Sequence, residues 1–243
     1  MNILAIGNSF SQDATRYLHQ VAESEGEYIR AVDLYIGGCP LDRHYNNLIH
    51  DARAYSLEYN GETTGFYVSI RQALRAREWD VITLQQVSHR SPRYNTYQPY
   101  LDVLAAECRL ARPNAKLYIH QTWAYEDGSK RLCEEMGYKT SADMFADIKA
   151  AYDTAAHDIR ADGIIPDGRT MQNIIEAGLV AHRDTFHANL GYGRYALALT
   201  WFGMLTGADV TKNKFSALDE PTDEKTLKTV RECAARAVKE YKK

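Results

Sequence analysis

Two stretches far apart in the chain carry residue types suited to acyl transfer. Near the start, Ile6-Gly7-Asn8-Ser9-Phe10-Ser11 places a serine just after a short apolar run. A serine hydroxyl attacks a carbonyl only when a base removes its proton. Far downstream, Asp184-Thr185-Phe186-His187 supplies a histidine and, three residues before it, a carboxylate. That spacing puts both side chains on one side of a single turn, so one segment offers a base and the group that orients it. Each signal alone has a plain reading. Ser9 or Ser11 could be only a helix N-cap, and with eight histidines in the chain an Asp-x-x-His arises easily by chance.

Acyl transfer also needs donors for the developing oxyanion. Gly37-Gly38 could bring a backbone N–H close to a substrate carbonyl, because glycine has no side chain in the way. Gln86 and Ser88 could add a side-chain donor, or could simply satisfy a strand end. Trp123, Tyr125, Tyr94, Tyr97 and Tyr192 form a candidate aromatic rim. Trp123 and Tyr192 stand out within it, Tyr192 because it follows His187 closely at the start of a helix.

These residues need elements to position them. Apolar runs of strand length alternate with segments of helical period. Strands are expected at Ile3–Ile6, Ile29–Ile36, Asp80–Leu84, Lys116–His120 and Gly163–Pro166. Helices are expected from Ser11-Gln12-Asp13 to about Ser24, then over Leu41–Arg53 with Leu48 and Ile49 inward. Further helices are expected over Ser69–Arg77, Tyr97–Leu110, Ser141–Ile159, Met171–Glu176, Leu190–Leu205 and Asp223–Lys242. Tyr55–Tyr59 and Gly65–Val68 flank Asn60-Gly61, the strongest short hairpin signal. Strands alternating with helices imply an α/β fold: a mostly parallel sheet between two helical layers, a three-layer α/β/α sandwich. One domain over 1–243 is the economical reading, with a possible hairpin insertion at 55–68 and a long loop over Trp123–Tyr138. In such sheets ligands bind beyond the carboxyl ends of the strands. Ser9, Gly37-Gly38, Gln86 and Ser88 all follow strands.

Composition excludes several classes. The chain has 243 residues, 29 Lys+Arg against 32 Asp+Glu, and 45% apolar residues. Such a chain is not disordered, and its near-balanced charge without a basic block argues against nucleic acid as a partner. No run approaches the roughly 18 apolar residues that span a bilayer, so no membrane association is expected. Cys39, Cys108, Cys133 and Cys233 form no C-x-x-C pair or zinc spacing, and no His-x-x-x-His is present. No metal or other cofactor is expected, and free thiols suit a reducing compartment. No signal-peptide pattern opens the chain as given, which therefore reads as cytoplasmic. The 17 Tyr among 26 aromatics suggest a polar, ring-lined surface.

Taken together, the blocks resemble the SGNH/GDSL hydrolase superfamily. Gly7-Asn8-Ser9-Phe10-Ser11 is similar to its first block, with Asn8 where Asp is usual. Gly37-Gly38 resembles the glycine of the second block. Asp184-Thr185-Phe186-His187, before the last buried helix, matches its Asp-x-x-His block. The opening also looks like a branch of uncharacterised SGNH-like proteins that begin Gly-Asn-Ser-Phe. The third block departs: Gln86-Val87-Ser88 stands where the superfamily has Gly-x-Asn. The resemblance implies a flavodoxin-like sheet and a serine esterase with the triad Ser9, His187 and Asp184. It implies an oxyanion hole from the backbones of Ser9 and Gly38 plus one polar side chain, Gln86 ahead of Ser88. A small-molecule or glycan ester is the implied substrate, a sugar O-acetyl group first. A non-catalytic carbohydrate-binding protein on the same scaffold is the alternative.

Overall fold

A computed structural model describes residues 1–242. The first apolar run is strand β1 (Asn2–Gly7), in which Ile3, Leu4, Ala5 and Ile6 are all buried. A strand buried on both faces reads as a continuous apolar run, as expected at the centre of a parallel sheet. Next come α1 (Ser9–Thr15), α2 (Leu18–Glu23), β2 (Arg30–Tyr35) and α3 (Leu41–Ile49). A hairpin follows, β3 (Tyr55–Tyr59) and β4 (Glu62–Val68), then α4 (Ile70–Arg75) and β5 (Val81–Leu84). Alternation continues through α5 (Tyr100–Ala111), β6 (Lys116–His120), α6 (Ser141–Asp158) and β7 (Gly163–Ile165). The chain closes with α7 (Asp167–Glu176), α8 (Tyr192–Thr206) and α9 (Glu224–Tyr241).

All seven strands form one sheet in the order β4-β3-β2-β1-β5-β6-β7. β2, β1, β5, β6 and β7 run parallel. Their order is the flavodoxin-like one, with its switch point beside β1. The hairpin at 55–68 is not a separate excursion, because β3 pairs antiparallel with β2 and extends the sheet at that edge. Right-handed crossovers place α1 and α2 on one face and α3–α6 on the other. The chain then returns to the first face, where α8 packs against α1, α2, α7 and α9. α8 is buried nearly all round, as an apolar helix at the centre of a helical layer must be. Among the described residues no helix is long and apolar enough to cross a membrane.

Three local expectations need correction. The first helix begins at Ser9 rather than Ser11, because the Asn8 side chain caps it by accepting from the Phe10 N–H at 3.1 Å. Ile49 faces outward, at 51% exposure, and only Leu48 is buried. The tyrosines do not make a wet surface. Tyr17, Tyr55, Tyr97, Tyr125, Tyr152 and Tyr195 are fully buried, and each hydroxyl finds a partner, such as Tyr17 to the Leu190 carbonyl at 2.9 Å. A buried Tyr is tolerated when its O–H is bonded.

The hairpin turn has both central residues at positive φ, Asn60 at 51° and Gly61 at 83°, the geometry that suits a two-residue turn. A Cβ on Gly61 would lie 2.1 Å from the Arg16 backbone oxygen. We expect Gly61→Ala to cost roughly 1–3 kcal/mol through this clash and the unfavourable φ. A urea unfolding midpoint equal to wild type would contradict that packing.

Candidate active site

Ser9 is the first residue of α1, reached directly from the carboxyl end of β1. Asn8 fixes that junction three ways. Its Oδ1 accepts from the Phe10 N–H and from Gln85 Nε2 at 2.8 Å, and its Nδ2 donates to the Cys39 carbonyl at 3.2 Å. One side chain therefore ties the turn to the ends of β5 and to the loop after β2. Gly7 is required by closeness, since a Cβ there would meet Ser11 Oγ at 2.4 Å and the Gln85 side chain at 2.8 Å.

The distant Asp-x-x-His segment meets this turn. His187 Nε2 lies 2.8 Å from Ser9 Oγ, and His187 Nδ1 lies 2.7 Å from Asp184 Oδ2. With the ring proton held at Nδ1 by a carboxylate, Nε2 is left to accept from the Ser9 hydroxyl. Asp184 Oδ1 also accepts the His187 N–H at 2.9 Å. Partial burial pushes the Asp184 carboxyl up, but the hydrogen bonds from His187 and from the Phe186 N–H outweigh it, and the group titrates below its ordinary value. Its side chain is 45% exposed, so solvent screens much of that interaction.

Two grips hold the segment in place, and the sequence reading missed the stronger one. Asp13, on α1 one turn beyond Ser9, is fully buried. Its carboxylate accepts from Arg183 Nη1 at 3.0 and 2.9 Å, from Arg194 Nε at 2.8 Å and from the Ala188 N–H at 3.1 Å. Arg183 and Ala188 flank Asp184–His187 on either side. The turn is closed by the Arg183 N–H to the His187 carbonyl at 3.0 Å. From the opposite side, the Glu126 N–H donates to the Thr185 carbonyl at 2.8 Å, and the Trp123 indole donates to the Phe186 carbonyl at 2.7 Å. Thr185 needs these grips. Its φ of 76° is a strained position for a β-branched residue, costing on the order of 1–3 kcal/mol.

The two segments open onto a cleft of about 270 Å³. Asn8, Ser9 and Phe10 line it, with Tyr35, Gly37 and Gly38 after β2 and Val87, Ser88 and His89 after β5. Arg131, Phe186 and His187 complete the wall. Ser9 and Gly38 therefore face one space. Neither residue's backbone N–H donates to another protein atom among the described residues. Ser88 Oγ lies 2.9 Å from the Tyr125 hydroxyl.

Three expected site residues lie elsewhere. Gln86 is fully buried and does not reach the cleft. Its Oε1 accepts from the Leu41 and Val87 N–H groups, and its Nε2 donates to the Thr96 carbonyl. No donor is left for an oxyanion. Trp123 is 0% exposed and stacks on Phe10 at 3.9 Å, so it supports the cleft floor rather than touching a substrate. Tyr192 spends its hydroxyl on the Val180 carbonyl at 2.7 Å and does not line the cleft. Tyr125 and Tyr97 of the expected rim are buried as well.

Behind the nucleophile runs a buried polar chain. His120 Nδ1 bonds the Gln85 carboxamide oxygen, and His120 Nε2 lies 2.7 Å from Asp167 Oδ2, which also accepts from the Trp201 indole at 2.8 Å. Burial pushes the Asp167 carboxyl up, against the pull of His120. Through Gln85 this chain ends on Asn8.

The model of the family described as "Domain of unknown function (DUF4886)" matches residues 2–237. This chain belongs to the DUF4886 family. It is 35% identical to a DUF4886 family protein from Bacteroides uniformis ATCC 8492, covering 98% of this chain and 94% of that one, with a TM-score of 0.92. It is similar to a proposed SGNH hydrolase from Slackia heliotrinireducens at 23% identity and TM-score 0.58, over 83% and 96% of the two chains. An acetylxylan esterase from Geobacillus stearothermophilus aligns at 13% identity and TM-score 0.52, over 83% and 92%. The last two likenesses are of fold, and this DUF4886 chain has the three-layer SGNH-hydrolase architecture. No curated protein matches the sequence significantly.

We expect Asp13→Asn to destabilise the protein by roughly 3 kcal/mol or more, because two partly buried guanidiniums lose their shared carboxylate. Hydrogen exchange should quicken at 183–188 ahead of the rest of the chain. Uniform exchange with unchanged stability would show that Asp13 does not hold this turn.

Proposed function

We propose that this DUF4886 protein is a serine ester hydrolase with Ser9 as nucleophile, His187 as general base and Asp184 as its orienting carboxylate. The observation that carries the reading is the continuous contact from Ser9 Oγ to His187 Nε2 at 2.8 Å and from His187 Nδ1 to Asp184 Oδ2 at 2.7 Å. Residues 178 positions apart are brought into the order and distances that acyl transfer requires.

In this reading Ser9 Oγ bonds to the acyl carbon as its proton passes to His187 Nε2. The tetrahedral intermediate collapses, the ester C–O bond breaks, and the imidazolium returns that proton to the departing alcohol. A water, deprotonated by the same nitrogen, then releases the acid and restores Ser9. Asp184 stays ionised throughout and stabilises the imidazolium, in keeping with its lowered pKa. The free N–H groups of Ser9 and Gly38 receive the oxyanion. Ser88, which lines the cleft, is the side-chain donor of choice now that Gln86 is committed elsewhere. A donor of this kind is typically worth about 3 kcal/mol of barrier lowering.

The proposed substrate is a short acyl ester, an O-acetyl group first, on a carbohydrate or similarly polar alcohol. Support comes from the cleft, whose 270 Å³ sits near the lower end of small-molecule sites. The buried Trp123 and the committed Tyr192 lend this choice no support.

Turnover of 4-nitrophenyl acetate checks the reading. Ser9→Ala should reduce kcat/KM by at least about 10³-fold, and Asp184→Asn by about 10⁴-fold by favouring the wrong imidazole tautomer. Equal rates for wild type and Ser9→Ala would overturn it.

A further inference from the structure

We propose that the cleft selects esters whose alcohol half carries a carboxylate, held by the Arg131 guanidinium. The proposal rests on the hydrolase reading above, which supplies the direction in which the alcohol departs.

Arg131 lines the cleft and is half-buried. It opens a single π-helical turn, Arg131–Glu135, anchored by the fully buried Leu132. Its Cζ lies 4.0 Å from the centre of the Phe186 ring and 5.7 Å from that of Tyr125. Among the described residues no carboxylate comes within ion-pair distance of it. Neighbouring Arg90, by contrast, is paired with Asp42 at 3.0 Å. No Asp or Glu lines the cleft. Glu135 is close enough to bear on the Tyr125 hydroxyl, but it is exposed and makes no pair with Arg131.

His89, which lines the same cleft, also feels cationic neighbours. Burial lowers the His89 pKa, and Arg90, Arg93 and Arg131 lower it further. Arg131 also bears on the Tyr125 hydroxyl, but a guanidinium carries five N–H donors, so donors remain for a planar oxyanion.

Position decides which half of the ester is read. His187 packs against Phe186 at a tilt of 38° with ring centres 3.9 Å apart, and Arg131 lies over the same ring at 4.0 Å. Those two separations place the guanidinium carbon within about 8 Å of the imidazole centre. His187 delivers its proton to the leaving oxygen, so in this proposal the alcohol half lies beside the His187 imidazole, on the side of the cleft that Arg131 can reach. A carboxylate a few bonds from the ester oxygen spans that distance.

The test compares 3-acetoxybenzoate with phenyl acetate, each kcat/KM divided by the ester's own hydroxide-catalysed rate. Wild type should favour the carboxylate ester about tenfold or more, and added salt should erode the preference. In Arg131→Gln the ratio should fall toward one. A wild-type ratio near one, or a ratio unchanged by Arg131→Gln, overturns the proposal while leaving the hydrolase reading intact. A second arm needs no turnover: 3-hydroxybenzoate and phenol are titrated into Ser9→Ala and into Ser9→Ala/Arg131→Gln by NMR. Tighter binding of the carboxylate that disappears with Arg131 supports the proposal, even if no Ser9-dependent hydrolysis is found and the catalytic reading falls. Equal binding of both compounds overturns it.

Discussion

The Asp13 carboxylate is the constraint on which the site depends. It sits on the same short helix as Ser9 and receives the residues on both sides of the Asp184–His187 turn, together with Arg194 from α8. Nucleophile and base belong to opposite ends of the chain, and chain connectivity does nothing to bring them together. A buried carboxylate facing two guanidiniums is poorly tolerated unless all three stay paired. That same requirement holds α1, the His187 turn and the start of α8 in one arrangement. Formation of the proposed triad is thereby tied to formation of the fold.

Around that clamp, polar and aromatic groups divide the work. Asn8 shapes the turn at Ser9, and the buried chain through Gln85, His120, Asp167 and Trp201 braces Asn8 along the carboxyl ends of the strands. Trp123 stacks under Phe10 and bonds the Phe186 carbonyl, so packed rings form the cleft floor. Strain at Thr185 is sustained by the same loop. Such strain at a functional turn is stored only where the surroundings over-determine it. The polar groups lining the cleft include the hydroxyls of Ser9, Ser88 and Tyr35, the imidazoles of His187 and His89, the unbonded N–H groups of Ser9 and Gly38, and the Arg131 guanidinium without an ion-pair partner.

Much of the architecture was legible because it follows from periodicity. Buried parallel strands such as Ile3–Ile6 and Lys116–His120 read as apolar runs, and Asn60-Gly61 announced its hairpin. Ser9, Asp184 and His187 were legible because their residue types and local spacing carry chemistry. Gln86, Trp123 and Tyr192 were misplaced for a common reason. Their polar atoms could face either a substrate or a neighbouring backbone group, and only tertiary packing decides which. Asp13 escaped notice because a carboxylate on a short helix looks solvated until two arginines from residues 183 and 194 close over it. Arg131 was equally silent, since a missing partner is a property of the fold and not of the residue.

The central claim is that Ser9 is activated by His187, and a fluorophosphonate serine probe followed by peptide mapping tests it most directly. One labelled peptide carrying Ser9 is expected, with labelling abolished in Ser9→Ala and strongly slowed in His187→Ala. Labelling at another serine, or labelling of Ser9 at the same rate without His187, would contradict it.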